Sequence, residues 1–236
     1  VGELAKATAA GALEAGLAQD SVLYFENADD VVAVLETANR YGVHVLPRGG
    51  GTSLAGQSVG KSVHIDTSRH MNALLEVNEE EHLARVQPGV ILDELNALLK
   101  PRNLMFAPDV SPSNRASVGG MIGNNSCGAH SVIYGKTIDH VIELNVVLSD
   151  GTQTVFRPVV DGEYADKVNA GGFEGKIYQE VRRIADENRD EIEKRYPKIL
   201  RRVGGYNLDE FVNDGPFNLC KMAVGSEGTQ VGVTEA

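Results

Sequence analysis

The stretch VHVLPRGGGTSLAGQ, residues 43–57, constrains the fold of this chain more than any other. Apolar and β-branched residues at 43–47 predict a strand, and it runs straight into Gly49, Gly50 and Gly51. Three successive residues without a Cβ let backbone turn tightly or approach a partner closely. Arg48 adds a positive charge, and Thr52 and Ser53 add hydroxyls. Consecutive backbone N–H groups in such a turn form a concave anion site. The same residues also suit a plain flexible turn, so the loop alone leaves both readings open. It lacks the G-x-G-x-x-G spacing and the immediate helix of the doubly wound dinucleotide fold.

The segments on either side predict alternating elements. Residues 3–18 are rich in Ala, Leu and Glu and read as a helix. VLYF (22–25) reads as a short strand. Asn27 caps a helix from Ala28 to Tyr41, with Asp29 and Asp30 in its first turn and Gly42 at its end. SVHID (62–66) alternates as a strand, ALLEVN (73–78) and HLARVQPG (82–89) as a pair, and VILDELNALL (90–99) as an amphipathic helix. Residues 107–128 are dense in Gly, Ser, Asn and Pro and predict a long loop with a short helix near Met121. Residues 138–151 predict a long strand whose Asp-Gly turn leads into a hairpin with 152–156. Residues 173–195 read as one charged helix, 196–216 as a mobile excursion, and 220–236 as strand–turn–strand. Few helices separate the later strands, which argues for an α+β fold with antiparallel pairing.

Ala55, Gly60, Lys61 and Ser62 mimic a phosphate loop with Ala in its first slot. That motif needs a strand leading directly in and a helix starting at its Lys-Ser end. Here the preceding strand ends at Pro47, and the following VHID alternates as a strand. A nucleotide triphosphatase is therefore the weaker reading, and Lys61 is expected on the surface.

The chain has 236 residues, 42% of them hydrophobic, enough for one large or two small domains. Lys plus Arg is 22 against 33 Asp plus Glu, a net charge of −11 that argues against general nucleic-acid or anionic-membrane binding. No apolar run has the length of a transmembrane helix, and no secretory leader is expected. Cys127 and Cys220 are the only cysteines; two free thiols in a reducing cytoplasm are expected, and no thiolate metal centre. The six histidines are scattered, and His130 follows Cys127 and Gly128.

Three ordered motifs carry a family resemblance. PRGGGTSLAGQ (47–57) resembles the pyrophosphate loop of the FAD-linked oxidases of the vanillyl-alcohol oxidase superfamily, whose flavin domain is called PCMH-type. Residues 107–151, from APDVSPSN to VVLSDG, resemble that family's second flavin-contact stretch. VGSEGTQVGVTEA (224–236) resembles its closing GSEGTLG-x-I-T-E motif. GNNSCGAHSVIYGKT and RRVGGYNLDE (201–210) suit the branch of large D-2-hydroxyacid dehydrogenases, related to D-lactate dehydrogenase and to the flavin-binding chain of glycolate oxidase.

The resemblance implies two α+β subdomains with FAD between them, residues 1–67 and 68–236, and a C-terminal substrate domain beyond this chain. It implies that Arg48, Gly49, Gly50, Gly51, Thr52 and Ser53 bind the diphosphate, with Gly56 supporting the turn. Pro108, Asp109, Ser117, Gly119, Gly120, Asn124, Asn125 and Gly128 would line the flavin side. Gly135 and Val233 would lie toward the ribose and adenine. Thr52 stands where some members carry a histidine joined to the flavin, so FAD is expected to be held non-covalently. Gln230-Val231 departs from the usual Leu-Gly. No catalytic residue and no metal ligand is assigned within the chain.

By the same resemblance, the reaction would be oxidation of a 2-hydroxyacid such as D-lactate, glycolate or 2-hydroxyglutarate. An electron acceptor would follow, and in some members an iron–sulfur region lies in the later part. A cytoplasmic protein, or one peripheral to the inner membrane, would result. A non-catalytic module with the same fold is the remaining alternative.

Overall fold

The computed structural model describes residues 22–236. The helix expected at 3–18 lies outside them. Strand β1 (Val22–Tyr24), helix α1 (Ala28–Tyr41), β2 (Val45–Arg48) and β3 (Val63–Asp66) come first. The Asn27 side chain accepts the Asp30 N–H at 3.1 Å and caps α1. Gly42, at φ +65°, ends the helix in the left-handed region. The three strands form a parallel sheet in the order β1-β3-β2. Phe25, Val31 and Val34 bury themselves with Val63 and Ile65. All four residues of the central strand β3 are buried, as befits a parallel strand covered on both faces. Strand β2 therefore delivers the glycine loop at the sheet's carboxyl edge.

Strands β4 (Leu74–Asn78) and β5 (Leu83–Val86) pair antiparallel, followed by α2 (Leu92–Leu99). A 3-10 turn, Lys100–Arg102, contains Pro101 and closes at Asn103. Next come α3 (Val118–Asn124), α4 (Ser131–Tyr134), α5 (Thr137–His140), β6 (Leu144–Val147), β7 (Gln153–Phe156) and β8 (Pro158–Val159). Helices α6 (Asp161–Ala170), α7 (Gly172–Glu187) and α8 (Arg189–Arg195) follow, and α7 buries Tyr178 and Ala185 in the core. A 3-10 turn at Leu208–Phe211, β9 (Phe217–Asn218), α9 (Cys220–Ala223) and β10 (Gly232–Glu235) complete the chain. Strand β10 crosses back to lie beside β6 in an antiparallel β10-β6-β7 sheet. Ala236 exchanges backbone hydrogen bonds with Val86, joining β5 to the same end. The core here gathers Leu144, Leu148, Tyr178, Phe217, Cys220 and Val224, all nearly or fully buried. The α+β class and the antiparallel pairing of the later strands agree with the sequence.

Three expected elements differ, and one helix is unexpected. Residues 138–151 are not one strand: the Thr137 hydroxyl donates to the Ser126 carbonyl at 2.8 Å, and the Asn125 side chain accepts the Ile138 N–H at 3.0 Å. These bonds hold a helical turn at 137–140 and leave the strand only Leu144–Val147. Residues 220–223 are helical, because the Asn218 side chain accepts the Cys220 N–H at 2.9 Å and starts a turn. The helix expected at 173–195 breaks at Asn188, whose side chain donates to the Ile184 carbonyl at 2.8 Å. A further helix, α6, forms at residues for which the sequence predicts no element. No helix among the described residues is long and apolar enough to cross a membrane.

Candidate functional site

A cleft of about 640 Å³ opens where the glycine loop meets the loop before α3 and the turn before β10. Its volume falls in the range of small-molecule and cofactor sites. One wall is the loop itself: Arg48, Gly49, Gly50, Gly51, Thr52 and Ser53 all line it. Gly51 sits at φ +62°, where a Cβ would also approach the Arg48 guanidinium to 2.9 Å. The second wall carries Ser117, Gly119, Gly120, Asn124 and Gly128. The third carries Ser226, Glu227, Gly228 and Val233.

Close backbone contact holds the first two walls together. A Cβ on Gly49 would collide with Ser117 Oγ, and one on Gly50 with the Arg115 carbonyl. Ser117 is itself fixed, since its hydroxyl accepts the Gly120 N–H at 3.3 Å. The third wall is strapped to α3. Gly225 N–H donates to the Ile122 carbonyl and Glu227 N–H to the Gly123 carbonyl, both at 2.9 Å. A Cβ on Gly228 would press on the Pro47 ring at 3.2 Å. The three sequence motifs, at residues 47–57, 107–151 and 224–236, thus meet around one space.

The remaining predicted residues stand outside the lining. Gly56 is exposed at φ +87° and turns the loop, its carbonyl accepting the Val59 N–H at 3.1 Å. Pro108 is buried. Asp109 backs the wall: its backbone and carboxylate lie where a Cβ on Gly128 would go. The Asp109 carboxylate also accepts the His130 N–H and lies 3.0 Å from His130 Nδ1. Asn125 is buried behind α3 and caps it in the left-handed conformation. Gly135, at φ +77°, accommodates the Asp139 side chain instead. Gly119 lines the cleft, yet its missing Cβ serves packing, because Pro88 occupies that direction.

Among the lining residues not singled out from the sequence are Gln57, Arg201 and Glu227, each of which lies in a quoted motif. Gln57 of the first wall and Glu227 of the third face the same cleft. Burial pushes the Glu227 carboxyl above its usual 4.5, partly offset by the nearby Gln57 side chain. Arg48, Arg201 and Glu227 are the charged side chains of the lining, a local excess of cation in a chain of net charge −11. Cys127 lines the cleft half-exposed, and Cys220 is buried; both are free. Lys61 is exposed and runs into β3, with no helix to receive a phosphate, which removes the phosphate-loop reading.

This donor set fits a dinucleotide diphosphate: the loop backbone lines the cleft, the Arg48 guanidinium flanks it and hydroxyls follow, while the missing Cβ atoms of Gly49, Gly50 and Gly51 let the loop pack on Ser117, Arg115 and Arg48. Residues 19–157 match the family model of the FAD binding domain, and the chain belongs to that family. It is 44% identical over 214 residues to D-2-hydroxyglutarate dehydrogenase of Pseudomonas putida, covering 89% of this chain and 21% of that one. It is 30% identical over 218 residues to glycolate oxidase subunit GlcD of Bacillus subtilis, covering 92% of this chain and 36% of that one. The chain thus spans about a fifth to a third of the length of these relatives. In fold it resembles alkyldihydroxyacetonephosphate synthase, with a TM-score of 0.59 at 20% identity over 91% of this chain and 29% of that one.

Proposed function

We propose that the chain is the flavin-holding part of a dehydrogenase or oxidase acting on a 2-hydroxyacid. The observation that carries this is the convergence of the glycine loop, the 117–128 wall and the Ser226–Val233 turn on one cleft. The diphosphate of FAD lies along Arg48–Ser53, and Ser117, Gly120, Asn124 and Gly128 face the rest of the cofactor. Gly56, Asn125, Asp109 and Gly135 shape those walls from behind. Pro108 is packed beneath them. Thr52 offers no imidazole, so the cofactor is held without a covalent bond to this position. Two subdomains, meeting near residue 67 where the parallel sheet ends, form the two sides of the cleft.

Bound FAD supplies the acceptor for a hydride equivalent from the carbon that carries the substrate hydroxyl. The chain's own groups bind and orient it. Relatives named as dehydrogenases of 2-hydroxyglutarate and as a component of glycolate oxidase favour a short hydroxy- or hydroxydi-acid as substrate. Delivery of the substrate proton to a base, passage of electrons to an acceptor, and further substrate contacts fall to parts corresponding to the remainder of those relatives. A cytoplasmic site of action, free or at the inner membrane surface, accords with this chemistry. Anaerobic mixing of the flavin-loaded full-length protein with D-2-hydroxyglutarate, D-lactate and glycolate is the test. Bleaching of the flavin by at least one is expected; an oxidised flavin with all three contradicts the substrate class.

A further inference from the structure

The excursion 196–216 packs against the third wall of the cleft. The Tyr206 hydroxyl and the Thr229 hydroxyl are 2.8 Å apart, and the Asn207 side chain donates to the Val224 carbonyl at 2.7 Å and the Lys221 carbonyl at 3.1 Å. Tyr196 donates to the Tyr206 carbonyl at 2.9 Å and closes the segment on itself. Arg202 is anchored by two hydrogen bonds to the Asp209 carboxylate, at 2.5 and 2.7 Å, and its guanidinium lies 4.9 Å from the Tyr196 ring. Both bonds come from one nitrogen, Nη2, and being charge-assisted they tether the side chain. The neighbouring Arg201 is different. It is exposed, lines the cleft, and forms no ion pair among those found in the described residues. Anchoring Arg202 fixes the backbone from which Arg201 projects.

We propose that Arg201 is an anion-recognising residue of the cleft, presented by the 196–211 segment to an oxyanion. That oxyanion is either the dinucleotide diphosphate or the carboxylate of the hydroxyacid. The glycine loop supplies neutral N–H donors and one other guanidinium, Arg48. A diphosphate carries more charge than one guanidinium neutralises, and a carboxylate presents two oxygens that a planar fork matches. Glu227 on the third wall would repel either anion, and Arg201 offsets it. The inference rests on the cleft being a cofactor site, and the experiment separates the two.

The 236-residue chain and its Arg201→Gln and Arg201→Lys variants are titrated with FAD, riboflavin, inorganic pyrophosphate and oxalate. Circular dichroism melting checks that the variants fold. If Arg201 takes the diphosphate, Arg201→Gln weakens FAD and pyrophosphate by about tenfold and leaves riboflavin unchanged, as expected for a lost charge-assisted bond. Arg201→Lys, which keeps the charge without the fork, recovers part of the loss. If Arg201 takes a carboxylate, oxalate binding falls by a similar factor while FAD is unaffected. A folded Arg201→Gln chain that binds every probe the parent binds, within about twofold, overturns the proposal. A parent that ignores FAD but binds pyrophosphate or oxalate through Arg201 sinks the flavin reading alone. A parent that binds none of the four sinks both.

Discussion

Gly49 and Ser117 are pressed together so closely that a Cβ on Gly49 would collide with the Ser117 hydroxyl oxygen. The oxygen is the obstacle: Ser117 Cβ would stand 3.4 Å from the added carbon. This contact joins the glycine loop to the cap of α3, and so two walls of the cleft. Gly49→Ala should destabilise the chain by about 1–3 kcal/mol, the range for overpacking. Ser117→Ala should cost about 1 kcal/mol through loss of the cap. Combined, they should cost less than their sum, because removing the hydroxyl makes room. Denaturant melts of the four chains measure the coupling. Additive losses would show that the two walls do not touch as described.

Lys61→Ala should leave both stability and ligand binding unchanged, within about 0.5 kcal/mol for an exposed site. Lys61 is exposed and enters a strand. Loss of FAD or of a nucleotide triphosphate in this variant would restore the phosphate-loop reading.

The two thiols should separate by access. Cys220 is fully buried, donates to the Phe156 carbonyl at 2.9 Å, and has its thiol pushed up to about 12 by burial. Cys127 lies half-exposed in the cleft. A disulfide-exchange reagent at about pH 8 should therefore label one thiol in the native chain and two after unfolding. Bound FAD should slow the labelling of Cys127. Equal labelling with and without bound FAD would place the cofactor away from that wall.

Glu227 gives the cleft a pH dependence of definite sign. Its carboxyl is raised above 4.5, chiefly by burial, so folding favours the protonated form. The stabilisation is full below the ordinary value and is lost as pH rises through the elevated one. Glu227→Gln, always neutral, should melt higher than the parent at about pH 7. That advantage should shrink as pH falls toward the ordinary carboxylate range. Melting temperatures of both chains across that interval decide it; a difference independent of pH would mean the carboxyl is solvated.

The glycine loop, the capped helix α1 and the strand pairs were legible because each rests on local chemistry: an Asn cap, an αL glycine, period-two alternation. Legible too was the family, since its motifs recur in order. What was not legible depends on partners distant in the chain. Thr137 and Ile138 turn helical only because Ser126 and Asn125 accept their hydrogen bonds. The direction of Gly119 was hidden, because the atom that demands a glycine belongs to Pro88. Gln57 and Glu227 face one cleft from distant parts of the chain, and no spacing rule brings them together. Arg201 reached the cleft through a segment with no periodicity, held by Tyr206 and Asn207.

The claim on which the rest depends is that this cleft holds FAD without a covalent bond. It is tested by titrating the purified, folded chain with FAD and recording the visible flavin spectrum before and after acid precipitation. Saturable uptake of about one flavin per chain and release of intact FAD into the acid supernatant are expected. A folded chain that takes up no FAD, or a flavin that stays with the precipitated protein, would contradict it.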